Sequence, residues 1–183
     1  MGNNKREKIL HALIRTSVQK GYNETRISDI TDCAGVGKGT FYLYFNSKDD
    51  CLMQTTDYIS KYISNSFENF KMHSFEDMRL AAEKIYHTAW TNRHIGRVYA
   101  YDLLNKNPDL CKQFTHNNTT TYKELIRRAR ENDSEEVLEI KALMVMGLID
   151  AVSFEVLHAS SDDEDLNKER FVKAFIAAVN TEI

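Results

Sequence analysis

The chain has 183 residues, 42% hydrophobic and 28% charged, with a net charge of −3. A chain of this length and composition buries enough surface to fold without a disulfide or metal staple, and its balance excludes intrinsic disorder. One proline and seven glycines are too few turn residues for a fold of many short strands, so an all-α protein is expected.

The three cysteines, Cys33, Cys51 and Cys111, are widely spaced and form no C-x-x-C pair. They read as free thiols in a reducing cytoplasm, with no metal site and no cofactor expected. No apolar stretch reaches the about 18 residues needed to span a bilayer, and no N-terminal hydrophobic run suggests a signal peptide, so a soluble cytoplasmic protein without a membrane partner is expected. Residues 1–53 carry eight Lys/Arg against six Asp/Glu, which leaves the net negative charge on the rest of the chain. A mildly basic head on an acidic body suits a protein that turns one end toward a polyanion.

In chain order, Ile9, Leu10, Leu13, Ile14 and Val18 recur at three- and four-residue spacing, which predicts a first helix over about Asn4 to Lys20, stopped by Gly21. Two short helices follow, Ile27 to Ala34 and Lys38 to Tyr44. Ser47 and Asp50 have capping-box spacing and start a helix whose stripe is Leu52, Thr56, Ile59, Ile63, Phe67 and Phe70. Ser74 caps the next, with Phe75, Met78, Ala82, Ile85 and Ala89 on one face. A short helix is expected over Gly96 to Leu104. Asn107-Pro108 then begins one reaching about Glu131.

In the eighth helix Leu138, Ala142, Val145, Ile149, Val152 and Val156 run at heptad-like spacing, and Leu143, Met146 and Leu157 cover another face. The acidic loop Ser160 to Asp165 suits the start of a last helix carrying Phe171, Val172, Phe175, Ile176, Ala178 and Val179. The total is about nine helices, with no strand and no internal repeat.

The informative segment is Ile27 to Phe45: two short helices joined by a tight Gly35-Val36-Gly37 turn, with Ile30, Ala34, Val36 and Phe41 placed to lock them together. A helix-turn-helix needs this compactness to enter a groove about 12 Å wide. The polar residues left outward on its second helix are Lys38, Thr40, Tyr42 and Tyr44, suited to phosphate oxygens and base edges. Gly39 permits close approach of the backbone, and Lys48 is placed to clamp a phosphate.

These residues resemble the TetR family of bacterial regulators. The likeness rests on Ile9-Leu10, Gly21-Tyr22, Ile27-Ser28-Asp29-Ile30, the run Ala34 to Phe45, and Ser47-Lys48. It implies a three-helix DNA-binding head (1–46), with contacts from Lys38, Thr40, Tyr42, Tyr44 and Lys48, and Ser28 nearby. It also implies a helical body (47–183) that binds ligand and dimerises through its last two helices. Three positions depart from the family pattern. Gly37 replaces a hydroxyl cap, Arg26 replaces another and offers a charged phosphate contact instead, and Thr16-Ser17 replaces a Leu-Phe pair.

In the body, Tyr62, Tyr86, Trp90, Tyr101, Phe114, Tyr122 and Met144 are the expected lining for an aromatic or apolar small-molecule inducer. Val145, Ile149, Val152, Val156, Phe171, Phe175 and Ala178 are the expected homodimer interface. The function expected is a repressor that binds palindromic operator DNA as a homodimer and is released by inducer. The rivals are a helical-bundle enzyme acting on small molecules and a protein-interaction adaptor. No catalytic residues are expected, because the chain shows no G-x-S-x-G and no phosphate loop.

Overall fold

The computed structural model describes residues 3–93, 108–155 and 163–183. Among these residues there are eight helices and no strand: α1 (Asn3–Lys20), α2 (Ile27–Ala34), α3 (Lys38–Tyr44), α4 (Lys48–Ser66), α5 (Phe75–Thr91), α6 (Pro108–Arg127), α7 (Glu135–Ser153) and α8 (Glu164–Asn180). The helix expected over Gly96 to Leu104, together with Tyr101 and Val156, lies outside the described residues. No described helix is long and apolar enough to cross a membrane. The described residues divide into two compact units, 3–61 with 108–114, and 62–93 with 115–155 and 163–183. The first unit therefore reaches residue 61, past the boundary expected at 46.

In the first unit, Ile9, Leu10 and Leu13 of α1 are buried with Ile30, Phe41, Phe45, Cys51 and Leu52. Burial pushes the Cys51 thiol up to about 12, so it packs as a small neutral hydrophobe. Val18, at the end of the expected stripe, is 40% exposed. Thr16 fits where a larger apolar residue is usual because its hydroxyl donates to the Ala12 carbonyl at 2.8 Å, four residues back in the same helix. The Ser47 hydroxyl accepts from the Asp50 amide at 3.0 Å and so caps α4, while the Asp50 carboxylate accepts from the Asn46 amide at 2.7 Å.

The second unit is built around Ala82, Ile85 and Tyr86 of α5, Tyr122, Leu125 and Ile126 of α6, and the inner faces of α7 and α8. Its helix starts are capped by side chains: Ser74 with Asp77 reciprocally on α5, Ser134 on α7, and Asp163, from the acidic loop, on α8. α4 ends at Ser66, one residue before Phe67. The Arg128 guanidinium donates to the carbonyls of Phe67, Glu68 and Phe70 at 2.7, 3.2 and 2.8 Å, tying the turn after α4 to the residue that follows α6. The Lys141 side chain has no exposed surface and pairs with Asp133 at 2.6 Å.

The heptad seam lies elsewhere than expected. Val145, Val152, Phe171 and Phe175 are fully buried within one chain, Ala178 is 3% exposed, and Ile149 packs partly buried against the same cluster. They form the core of the protomer, so they offer a second copy no surface to cover. The outward apolar residues of α7 are Ile140, Leu143 and Met144. Both faces of α7 are apolar, and periodicity alone does not say which of two apolar faces turns inward.

Candidate nucleic-acid interface

The head is assembled by two left-handed glycines. Gly21 (φ 81°) ends α1 and Gly35 (φ 65°) ends α2, a conformation that costs other residues about 1–2 kcal/mol. After Gly35 the chain reverses, with the Val36 amide donating to the Thr31 carbonyl at 3.0 Å. Gly37 then stands at the N-cap of α3 without a side-chain cap. Phe41, fully buried, fixes the rotation of α3, and its ring lies 5.4 Å from that of Phe45.

With Phe41 inward, successive side chains turn by about 100°. The outward arc of α3 then reads Lys38, Tyr42, Gly39, Leu43 and Thr40 in order around the helix. Lys38 and Gly39 are exposed, Tyr42 is 57% exposed, and Thr40 is half-buried at the edge. Tyr44 is half-buried beyond Thr40 on the same flank. Leu43 is 81% exposed. A search for outward polar residues passes over it because it is apolar, although its position places it in the middle of the arc.

At the start of α2, Arg26 is exposed and Ser28 half-buried. Arginine has no acceptor with which to cap, and the reciprocal bond alone is made: the Arg26 amide donates to the Asp29 carboxylate at 2.8 Å. Lys20 also reaches Asp29 at 2.8 Å. The Lys20 ammonium first, then the Arg26 amide, hold the Asp29 carboxyl below its ordinary value.

Lys48 is engaged by the chain itself. Its ammonium donates to the carbonyls of Tyr22 and Thr25 at 2.8 and 2.9 Å and lies 4.2 Å from the centre of the Tyr22 ring. Burial lowers its pKa. The Tyr22 hydroxyl in turn donates to the Asp49 carboxylate. Residues Lys48 and Asp49 thus bolt the first turn of α4 to the loop between α1 and α2.

The expected ligand-lining residues separate. Tyr86 and Tyr122 are in the core of the second unit with Trp90 packed partly buried beside them, and the Tyr86 ring lies 5.6 Å from that of Phe171. Burial raises both phenols above their ordinary value. Tyr62 is 60% exposed and Met144 42% exposed, so neither lines an enclosed cavity within the protomer. Phe114 belongs to the first unit. Sequence reasoning passed over Asn118 and Thr119, which are buried on α6; the Thr119 hydroxyl donates to the Met146 sulfur at 3.3 Å. The signal was present, since Asn118 falls four residues before Tyr122 on the apolar stripe of α6.

Residues 9–54 match the family model of bacterial regulatory proteins of the tetR family. The N-terminal head is thus similar to the DNA-binding segment of that family. An uncharacterized HTH-type transcriptional regulator of Bacillus subtilis, YerO, is 35% identical over 69 residues, which are 38% of this chain and 24% of that protein. The matched segment thus spans about a quarter of that relative. Two solved structures share the fold along nearly the whole chain. The fatty acid degradation regulator FadR of Bacillus halodurans is 19% identical with a TM-score of 0.75, covering 96% of this chain and 95% of its own. FadR of Bacillus subtilis, in complex with stearoyl-CoA, is 18% identical with a TM-score of 0.70, covering 97% and 99%. The chain therefore shares its helical fold with these two structures.

Proposed function

We propose that this chain is a TetR-type transcriptional repressor that binds palindromic operator DNA as a homodimer and leaves it on binding a small apolar or aromatic molecule. The observation that carries the reading is the recognition helix. α3 is locked by a fully buried Phe41 while Lys38, Gly39, Tyr42 and Leu43 stay exposed on one arc, within a segment that matches the TetR family model. Lys38 supplies phosphate neutralisation, and the Tyr42 hydroxyl supplies a hydrogen bond to a phosphate oxygen.

A second copy fits the outward apolar faces of α7 and α8, where Ile140, Leu143, Met144 and Gly147 follow one another at helical spacing and Leu166 and Ala177 are also exposed. A two-fold dimer then presents two recognition helices to successive turns of one duplex. The inducer reading is supported by the aromatic core around Tyr86, Trp90 and Tyr122 with Asn118 and Thr119 as polar handles. The inducer acts by binding more tightly to a dimer whose heads are wrongly spaced, and each tenfold loss of DNA affinity requires about 1.4 kcal/mol of that difference.

A mobility-shift titration with the region upstream of the protein's own gene tests the reading. A shift at low salt that weakens steeply as salt rises, and that Lys38→Ala with Tyr42→Ala abolishes while dimerisation persists, is the expected result. No shift at low salt with upstream or neighbouring DNA overturns it.

A further inference from the structure

We propose that Leu43 reads a thymine 5-methyl group in the major groove of the operator and so sets part of this chain's sequence preference. The inference rests on the regulator reading above. Leu43 is the most exposed large apolar side chain among the described residues, at 81%. A single exposed leucine is ordinary on a protein surface. This one, however, stands on the recognition helix, between Gly39 and Thr40 on the arc that faces away from Phe41.

Its neighbour strengthens the case. Gly39 weakens a helix of seven residues, yet a Cβ added there would meet nothing within 4 Å, and its φ is not among the left-handed ones. Neither the backbone nor the packing of this chain calls for glycine at that position. Its effect is to leave open space beside Leu43, so that a base edge can come close to the side chain. Leucine has no hydrogen-bonding group and so gains nothing from a phosphate or a polar base edge. The one apolar feature that a base pair presents in the major groove is the thymine methyl. The chemistry of Leu43 therefore selects thymine over the other bases at the position it meets.

Selection of bound duplexes from a random library by the full-length wild-type protein supplies an operator. Each thymine of one half-site is then replaced in turn by deoxyuridine, which keeps the hydrogen-bonding edges and lacks the methyl. At one thymine the wild type is expected to lose affinity about fourfold, about 0.8 kcal/mol for one buried methyl-sized group. Leu43→Ala, with its thermal midpoint unchanged, is expected to bind the thymine and deoxyuridine duplexes equally at that position. Enriched operators at which no deoxyuridine substitution weakens the wild type overturn the inference alone, as does an equal loss in Leu43→Ala. A wild-type protein that enriches no DNA overturns the regulator reading and this inference with it.

Discussion

Lys38 and Lys48 are both cations of the motif, and the structure places them in different surroundings. Lys38 is exposed at the first position of α3, whereas the Lys48 ammonium is half-buried and donates to the Tyr22 and Thr25 carbonyls. Hydrogen bonds from a charged donor contribute about 1.5–3 kcal/mol each when their loss leaves buried acceptors open. Lys48→Met should therefore lower the stability of the head by about 2 kcal/mol in chemical denaturation. Lys38→Ala should leave stability within about 0.5 kcal/mol and reduce the salt dependence of DNA binding by about one phosphate contact. Equal and small stability changes in both variants would return Lys48 to the role of a simple phosphate contact. The identity of the motif was legible in the residues from Ala34 to Lys48, but the partners of each side chain were not. A lysine at the start of a helix looks the same in sequence whether its ammonium faces solvent or two loop carbonyls.

Between elements, the informative contact is the pair Asp133–Lys141, which joins the turn after α6 to the inner face of α7. Lys141 has no exposed side-chain surface, so its charge is tolerable only while Asp133 stays ionised beside it. The Lys141 ammonium, and secondarily Arg130, hold the Asp133 carboxyl below its ordinary 3.8. The folded state thus binds that proton less readily than the unfolded chain. The stability this pair contributes is complete above pH 3.8 and is lost as pH falls through the lower folded value. Asp133→Asn strands the buried ammonium and should cost about 3–5 kcal/mol at neutral pH, while Lys141→Met should be close to neutral or stabilising. Urea titrations of the two variants at pH 7 check the asymmetry, and equal losses in both would refute it. Most helices were legible in advance because their caps are local: Ser47, Ser74 and the acidic loop before α8 each act within a few residues. Lys141 was not, because a lysine within an apolar run signals its buried partner only once α6 and α7 are folded together.

For the whole molecule, the proposed dimer raises the question of which surface would hold two copies together. Sequence spacing pointed to the seam of Val145, Val152, Phe171 and Phe175, and the structure buries all four inside a single protomer. The surface left for a partner on α7 is the stripe Ile140, Leu143, Met144 and Gly147, and a Cβ added at Gly147 would meet nothing within 4 Å. The two assignments make opposite predictions. In a two-fold interface one substitution appears twice, so Leu143→Asp would bury two carboxylates without partners. The resulting penalty of several kcal/mol, at about 1.4 kcal/mol per tenfold in affinity, should convert the dimer to monomer at micromolar concentration in sedimentation equilibrium. The variant should keep its helical circular dichroism, because Leu143 is 48% exposed in the protomer. It should also lose binding to a palindromic duplex, because a single head engages only half of the site. Phe175→Ala should instead remove about 3–5 kcal/mol from the fold by opening a cavity, and should change association only through that loss. If Leu143→Asp stays dimeric while Phe175→Ala dissociates without losing stability, the seam is the interface after all, and the inner and outer faces of α7 must exchange places.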